Sequence, residues 1–222
     1  MRPPIPPAAV VFDCDGLLLD TESAWSRGEA VLYRRHGTQF TVGHKRELLG
    51  TAGTRASEIV ERHLGLPGRG AELRAELLEI VLEEVARSAP PQPGARELVA
   101  ALRAEGVPVG LASNSPVQLV ELALRVAGLE GAFASVVAVD HVAHPKPAPD
   151  IYFESCRALG AAPADAIALE DSQTGVGSAL AAGMFVIGVP SLEGVDLAEA
   201  HLQAASLESP VVWEVLGLRM AA

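Results

Sequence analysis

Asp13 and Asp15 stand one residue apart where the apolar run Ala8-Ala9-Val10-Val11-Phe12 breaks into Gly16. A period-two strand sends both carboxylates to one face and Cys14 to the other. Gly16 then lets the backbone turn and come close to a ligand. Like charges this close are unfavourable unless a cation joins them or one of them takes a proton. Three further polar clusters follow: Ser113-Asn114-Ser115, Lys146 between Pro145 and Pro147, and Glu170-Asp171-Ser172. Converging on one volume, these groups supply what phosphoryl transfer needs. One carboxylate attacks phosphorus and a second moves a proton. An acidic cluster holds a divalent cation by oxygen ligands, and a lysine and a hydroxyl hold phosphate oxygens. Taken singly, Ser113 reads equally as a helix cap before Pro116, and Glu170-Asp171 as the cap of the following helix.

The elements that must bring these groups together are legible in the hydrophobic periodicity. Val10–Phe12 reads as a first strand. From Thr21 to Ser88 the spacing is helical throughout, as in Leu73, Leu77, Leu78, Val81, Leu82 and Val85. The run Ala89-Pro90-Pro91-Gln92-Pro93-Gly94 closes that block. Helices are expected near Ala95–Glu105, Pro116–Ala127, Pro149–Leu159 and Thr174–Ala182. They alternate with strands at Val107–Ala112, Val136–Val139, Ala166–Leu169 and Phe185–Val189. Alternation of this kind implies a parallel sheet covered by helices on both faces. Every polar cluster then falls at the carboxyl end of a strand, where open α/β sheets bind ligands. The helical block is an insertion leaving from that edge, so it is expected to act as a lid on the tethers Leu19–Thr21 and Ala89–Pro93.

Bulk properties narrow the partners. A chain of 222 residues, 49% hydrophobic and 20% charged, has the composition of an ordinary globular protein. Its net charge of −11 argues against nucleic acid or an anionic membrane as partner. No apolar stretch has the length of a bilayer span, and Met1–Pro7 lacks the layout of a secretory leader. Cys14 and Cys156, the two cysteines, fit reduced buried thiols in a cytoplasmic protein. A monomer or weak homo-oligomer acting on a small phosphorylated metabolite is the expectation. Only Lys45 and Lys146 are lysines.

Phe12-Asp13-Cys14-Asp15-Gly16, Ser113-Asn114, Lys146-Pro147 and Glu170-Asp171-Ser172, in that order, resemble the four-motif signature of the haloacid dehalogenase superfamily. The insertion after the first motif resembles its β-phosphoglucomutase-like branch, which carries a helical cap. The segment Gly175–Met184 is similar to the helix that follows the fourth motif there. The resemblance implies an α/β architecture, with a Rossmann-like parallel-sheet core (residues 1–20 and 89–222) and an inserted helical cap domain (21–88). It implies that Asp13 is the nucleophile forming an aspartyl-phosphate and that Asp15 is first general acid, then general base. Mg²⁺ would be bound by Asp13, the backbone carbonyl of Asp15 and Asp171, with Glu170 close by. Ser113 and Lys146 would hold the phosphoryl group, and Asn114 would add its backbone amide.

Asp15 favours phosphate esters, because the dehalogenases of the superfamily lack an acid at that position. A phosphonate hydrolase needs a cap lysine for imine chemistry. Lys45, the one candidate, reads as part of a solvated helix face in His44-Lys45-Arg46-Glu47. A phosphosugar mutase shares the first chemical step, but Trp25 stands where β-phosphoglucomutase has a positioning histidine, so hydrolysis is expected. A non-catalytic binding protein on the same fold is the remaining alternative, and it tends to lose the nucleophile that this chain keeps. Thr21 and Glu22, at the cap entrance, and Arg55, in the loop Gly50–Arg55, are the candidate substrate contacts. Arg55 suits a second anionic group on the substrate. The pair His141 and His144 reads as surface residues rather than a zinc site.

Overall fold

The computed structural model describes residues 2–48, 53–191 and 194–220, without the side chains of residues 53 and 54. The chain divides into two compact units, 1–20 with 90–222 and 21–89. In chain order the elements are β1 (Ala9–Asp13), α1 (Glu22–Arg35), α2 (Val42–Leu48), α3 (Gly53–Leu64), α4 (Gly70–Arg87), α5 (Ala95–Ala104) and β2 (Val109–Ser113). There follow α6 (Val117–Val126), β3 (Ser135–Ala138), α7 (Asp150–Leu159), β4 (Ala166–Glu170), α8 (Gln173–Ala181), β5 (Phe185–Gly188), β6 (Leu202–Gln203) and α9 (Pro210–Val215).

The first unit is built on one parallel sheet of order β3-β2-β1-β4-β5-β6. β1 lies centrally, and its sequence Ala-Val-Val-Phe-Asp is buried at every position. The same holds for β2, β4 and β5. Continuous burial without alternation is the mark of strands covered on both faces. The strand order changes direction on either side of β1, with β2 on one flank and β4 on the other. That switch point opens a crevice at the carboxyl ends, and Asp13, Ser113 and Glu170 are the last residues of β1, β2 and β4. β6 and α9 carry no periodicity long enough to read in the sequence.

The second unit is wholly helical in its described part. Leu32, Tyr33, Leu48, Ile59, Val60, Leu73 and Ile80 form its own core, contributed by α1 to α4. Burying those seven side chains contributes on the order of 1.5–3 kcal/mol each. Gly28 is a contact point, since a Cβ there would lie 2.6 Å from Val81 Cγ2 on α4.

The tether residues are paired with one another. Leu19 and Pro91 form an antiparallel bridge. Asp20 N donates to Pro90 O at 2.9 Å and Gln92 N to Leu18 O at 2.9 Å. Leu17, Leu18 and Leu19 are buried. Hydrophobic burial and pairing thus lock residues 18–20 and 90–92 into the sheet-bearing unit.

Candidate active site

The first strand delivers Asp13 as expected. β1 ends at Asp13, and a tight turn follows it. Leu18 N and Leu19 N both bond Cys14 O, Gly16 N bonds Leu19 O, and Gly16 adopts φ +93°. A Cβ at Gly16 would lie 2.2 Å from Asp171 Oδ2. The glycine therefore provides both the left-handed turn and the room for Asp171.

Lys146 is the hub. Its side chain is 3% exposed, and Nζ donates to Asp13 Oδ1 at 2.7 Å, Glu170 Oε1 at 2.6 Å and the Ala112 carbonyl at 2.9 Å. All three protons of the ammonium are engaged. The loop that aims it is fastened by Asn114, whose Oδ1 accepts from Lys146 N at 2.9 Å and whose Nδ2 donates to Lys146 O at 3.2 Å. The Asn114 side chain thus clamps the lysine loop.

Ser113 also serves a neighbour first. Its hydroxyl donates to Asp15 Oδ2 at 2.6 Å and accepts from Ser115 N at 2.9 Å. In this arrangement its single proton goes to Asp15 rather than to the place of a phosphate oxygen, and no helix is capped by it. Likewise Glu170 and Asp171 do not cap α8. Ser172 does, accepting from Gly175 N at 3.0 Å.

Asp13, Glu170 and Asp171 each offer an oxygen within 4.8 Å of the others, and all three residues are buried; among the described residues no other such group occurs. Asp171 Oδ2 accepts from Ser191 Oγ at 2.5 Å. Lys146 meets two of these buried carboxylates, Asp13 and Glu170. Burial lifts the Asp13 carboxyl well above the usual carboxylate range; Lys146 opposes this, while Glu170, Asp171 and Asp15 reinforce it. Burial alone would lower the Lys146 ammonium, but Asp13 and Glu170 outweigh it and hold the group firmly protonated. Such a cluster, all hard oxygen donors, fits a hard divalent cation.

Two partners in this cluster have no motif to announce them. Tyr152, on α7, donates its hydroxyl to Glu170 Oε1 at 2.6 Å, and its ring centroid lies 5.0 Å from Lys146 Nζ. Ser191, on the loop after β5, is the other. The Lys146-to-Tyr152 spacing is the only available hint of the first, because α7 starts directly beyond the lysine.

Thr21, Glu22 and Arg55 belong to the helical unit. Thr21 is buried beside the start of α1, and its carbonyl accepts from Trp25 N at 2.9 Å. Trp25 itself is half-buried. Arg55 is exposed and lines an open cleft of about 390 Å³ with Glu47, Glu58, Ile59 and Arg62. Arg55 lies in α3 rather than in the loop expected over Gly50–Arg55, of which Gly50, Thr51 and Ala52 lie outside the described residues.

Lys45 departs from the solvated helix face expected of it. Its side chain is only 22% exposed, with Nζ 3.1 Å from Glu29 and 3.2 Å from Glu22. Burial would lower the ammonium, but the two carboxylates prevail and raise it. An amine held protonated is a poor imine-forming nucleophile. His141 and His144 are exposed; the first accepts from Ala138 N and the second pairs with Asp150. Cys14 and Cys156 are free and buried, and burial pushes the Cys156 thiol up to about 11. No described helix is long and apolar enough to cross a membrane.

Comparison with known proteins agrees with this geometry. The family model for haloacid dehalogenase-like hydrolases matches residues 7–183. Hexitol phosphatase B of Escherichia coli (strain K12) is 32% identical over 216 residues, covering 94% of this chain and 96% of its own. The crystal structure of CbbY from Rhodobacter sphaeroides with phosphate superposes with a TM-score of 0.80 at 28% identity, over 90% of this chain and 95% of that one. A putative β-phosphoglucomutase from Thermotoga maritima gives a TM-score of 0.75 at 25% identity, over 94% and 96% of the two chains.

Proposed function

The chain belongs to the haloacid dehalogenase-like hydrolases and is a phosphoric monoester hydrolase, and from that premise we propose that it hydrolyses a small sugar or sugar-alcohol phosphate through an aspartyl-phosphate, with Mg²⁺ as cofactor. The observation that carries this reading is Asp13 at 2.7 Å from Lys146 Nζ, within the buried carboxylate cluster of Glu170 and Asp171. The likeness to hexitol phosphatase B supports the substrate class.

Asp13, Glu170, Asp171 and the backbone carbonyl of Asp15 would hold Mg²⁺. When bound, it supplies charge neutralisation that keeps Asp13 ionised beside an anionic phosphate. A carboxylate oxygen of Asp13 attacks phosphorus, and the bond from phosphorus to the ester oxygen breaks. Asp15, in its acid form, passes its proton to the departing alkoxide, and the alcohol leaves. Asp15, now a carboxylate steadied by Ser113, takes a proton from water as the water oxygen attacks the aspartyl-phosphate. Inorganic phosphate and free Asp13 result, with Asp15 reprotonated for the next turnover. Lys146 screens the oxygens that carry charge in both steps, a preorganised role suited to its fixed position.

The helical unit acts in this reading as the cap. Thr21 and Glu22 contact the substrate at its entrance, and Arg55 contacts a second anionic group. The two reduced thiols support a cytoplasmic location.

Release of inorganic phosphate from a panel of phosphorylated sugars and polyols, with Mg²⁺ and with chelator, tests the proposal. Phosphate should appear in step with ester loss and only with the metal. Ester rearrangement without phosphate release would replace hydrolysis by the mutase reaction, and metal-independent turnover would remove the cofactor.

A further inference from the structure

Glu170 is restrained more heavily on one oxygen than on the other. Oε1 receives Lys146 Nζ at 2.6 Å and the Tyr152 hydroxyl at 2.6 Å. Two short donors engage both lone pairs of that oxygen. Oε2 has only long partners, Asp171 N at 3.2 Å and Ser172 Oγ at 3.3 Å. The last torsion of a glutamate is broad and nearly two-fold, so rotamer preference alone does not fix the plane of the carboxylate. Hydrogen bonds must do so, and a lysine alone, a point donor on a flexible stem, fixes one contact rather than a plane. The tyrosine supplies the second short one, beside the longer contacts on Oε2. Its ring sits 5.0 Å from the same Nζ, so it also restrains the ammonium by a cation–π contact. Both Tyr152 and Glu170 are wholly buried, so no bulk water replaces the hydroxyl if it is removed.

Building on the metal-dependent reading above, we propose that Tyr152 is a positioning residue: its hydroxyl saturates Oε1 of Glu170 and thereby orients the carboxylate that would help hold the divalent cation. A tyrosine needed only for packing would be replaced by phenylalanine without consequence for the cation. A tyrosine that orients a ligand would not, since losing such an outer partner weakens metal affinity about 10–100-fold.

The test is calorimetric titration of Mg²⁺ into full-length protein freed of metal, for wild type, Tyr152→Phe, Glu170→Gln and the double variant, with thermal melts of each. Tyr152→Phe should weaken Mg²⁺ binding about tenfold. In the Glu170→Gln background the same change should add nothing, because the hydroxyl acts through that carboxylate. Unchanged Mg²⁺ affinity in a folded Tyr152→Phe overturns the role, as does an equal loss in the Glu170→Gln background. Should Tyr152→Phe fail to fold, Glu170→Gln decides alone: wild-type affinity in that variant overturns the proposal. Wild-type protein that takes up no Mg²⁺ would instead overturn the metal reading beneath it.

Discussion

Gly175→Ala is the sharpest test of how the site is packed. Gly175 lies in the first turn of α8, and a Cβ built there would meet the Glu170 carboxylate carbon and Oε1 at 1.9 Å and Oε2 at 2.0 Å. Ordinary contact begins near 3.4 Å, so the carboxylate or the helix must yield by about 1.5 Å, the difference between the two distances. Glu170 cannot yield freely, because Lys146, Tyr152, Asp171 N and Ser172 all donate to it. Overpacking costs about 1–3 kcal/mol, and each lost hydrogen bond to a charged group about 1.5–3 kcal/mol. A net loss of about 3 kcal/mol is therefore expected, equivalent to a fall in Tm of about 6–12 °C for a chain of this size. Gly177, two residues along the same helix, is the control, since nothing lies within 4 Å of its would-be Cβ. There the same substitution should stabilise by up to about 1 kcal/mol, through helix propensity alone. Differential scanning calorimetry and phosphate release against Mg²⁺ concentration read both variants. Gly175→Ala with wild-type Tm and Mg²⁺ dependence would refute the claim that the glycine exists to admit Glu170.

Asp13→Asn should reduce turnover by at least about a thousandfold while the circular dichroism spectrum stays that of a folded chain; Mg²⁺-dependent turnover surviving in that variant would discard the nucleophile assignment. Lys45→Met should destabilise the helical unit, because it leaves Glu29, whose side chain is 8% exposed, without its partner. The pH dependence gives the sign. An ammonium raised above 10.5 in the folded state contributes stability that is complete below that value and lost as pH climbs through the raised one. Wild type should therefore lose denaturant resistance above about pH 10.5, more steeply than Lys45→Met; equal slopes would deny the pair any role in folding. Arg55→Ala should raise KM for bisphosphates and leave KM for simple monophosphates unaltered, and an equal rise for both would show that the arginine reads no second anion.

Much of this was written locally in the chain, and the parts that were not share a physical reason. Val10–Phe12, Ala166–Leu169 and their neighbours announce themselves by unbroken apolar runs, because strands covered on both faces admit little else. The clusters at Asp13, Ser113, Lys146 and Glu170 follow from the rule that parallel strands end at one edge. What periodicity does not carry is orientation. Asn114 offered a backbone amide, yet its side chain closes two bonds on the lysine loop. Lys45 sits in a run of charge that reads as solvent-facing. Its actual partners, 16 residues back for Glu29, depend on how α2 packs on α1. Each of these contacts pairs segments distant in sequence, and their register is set by packing rather than by local pattern.

Charge arithmetic shows why that packing is tolerated. Asp13 and Glu170 share one buried ammonium, so removing Lys146 would take that cation from both carboxylates. A fold selected for stability alone would replace such a cluster with apolar residues of similar volume, a change that is often neutral or stabilising. Retaining it keeps Asp13 protonation coupled to the arrival of positive charge, since burial disfavours the ionised carboxylate until a counter-ion balances it. In the proposed reaction, nucleophile and cation site are thus one electrostatic unit. Lys146→Met should therefore weaken Mg²⁺-dependent turnover and Asp13 ionisation together, and a variant that lost one while keeping the other would show them to be separable.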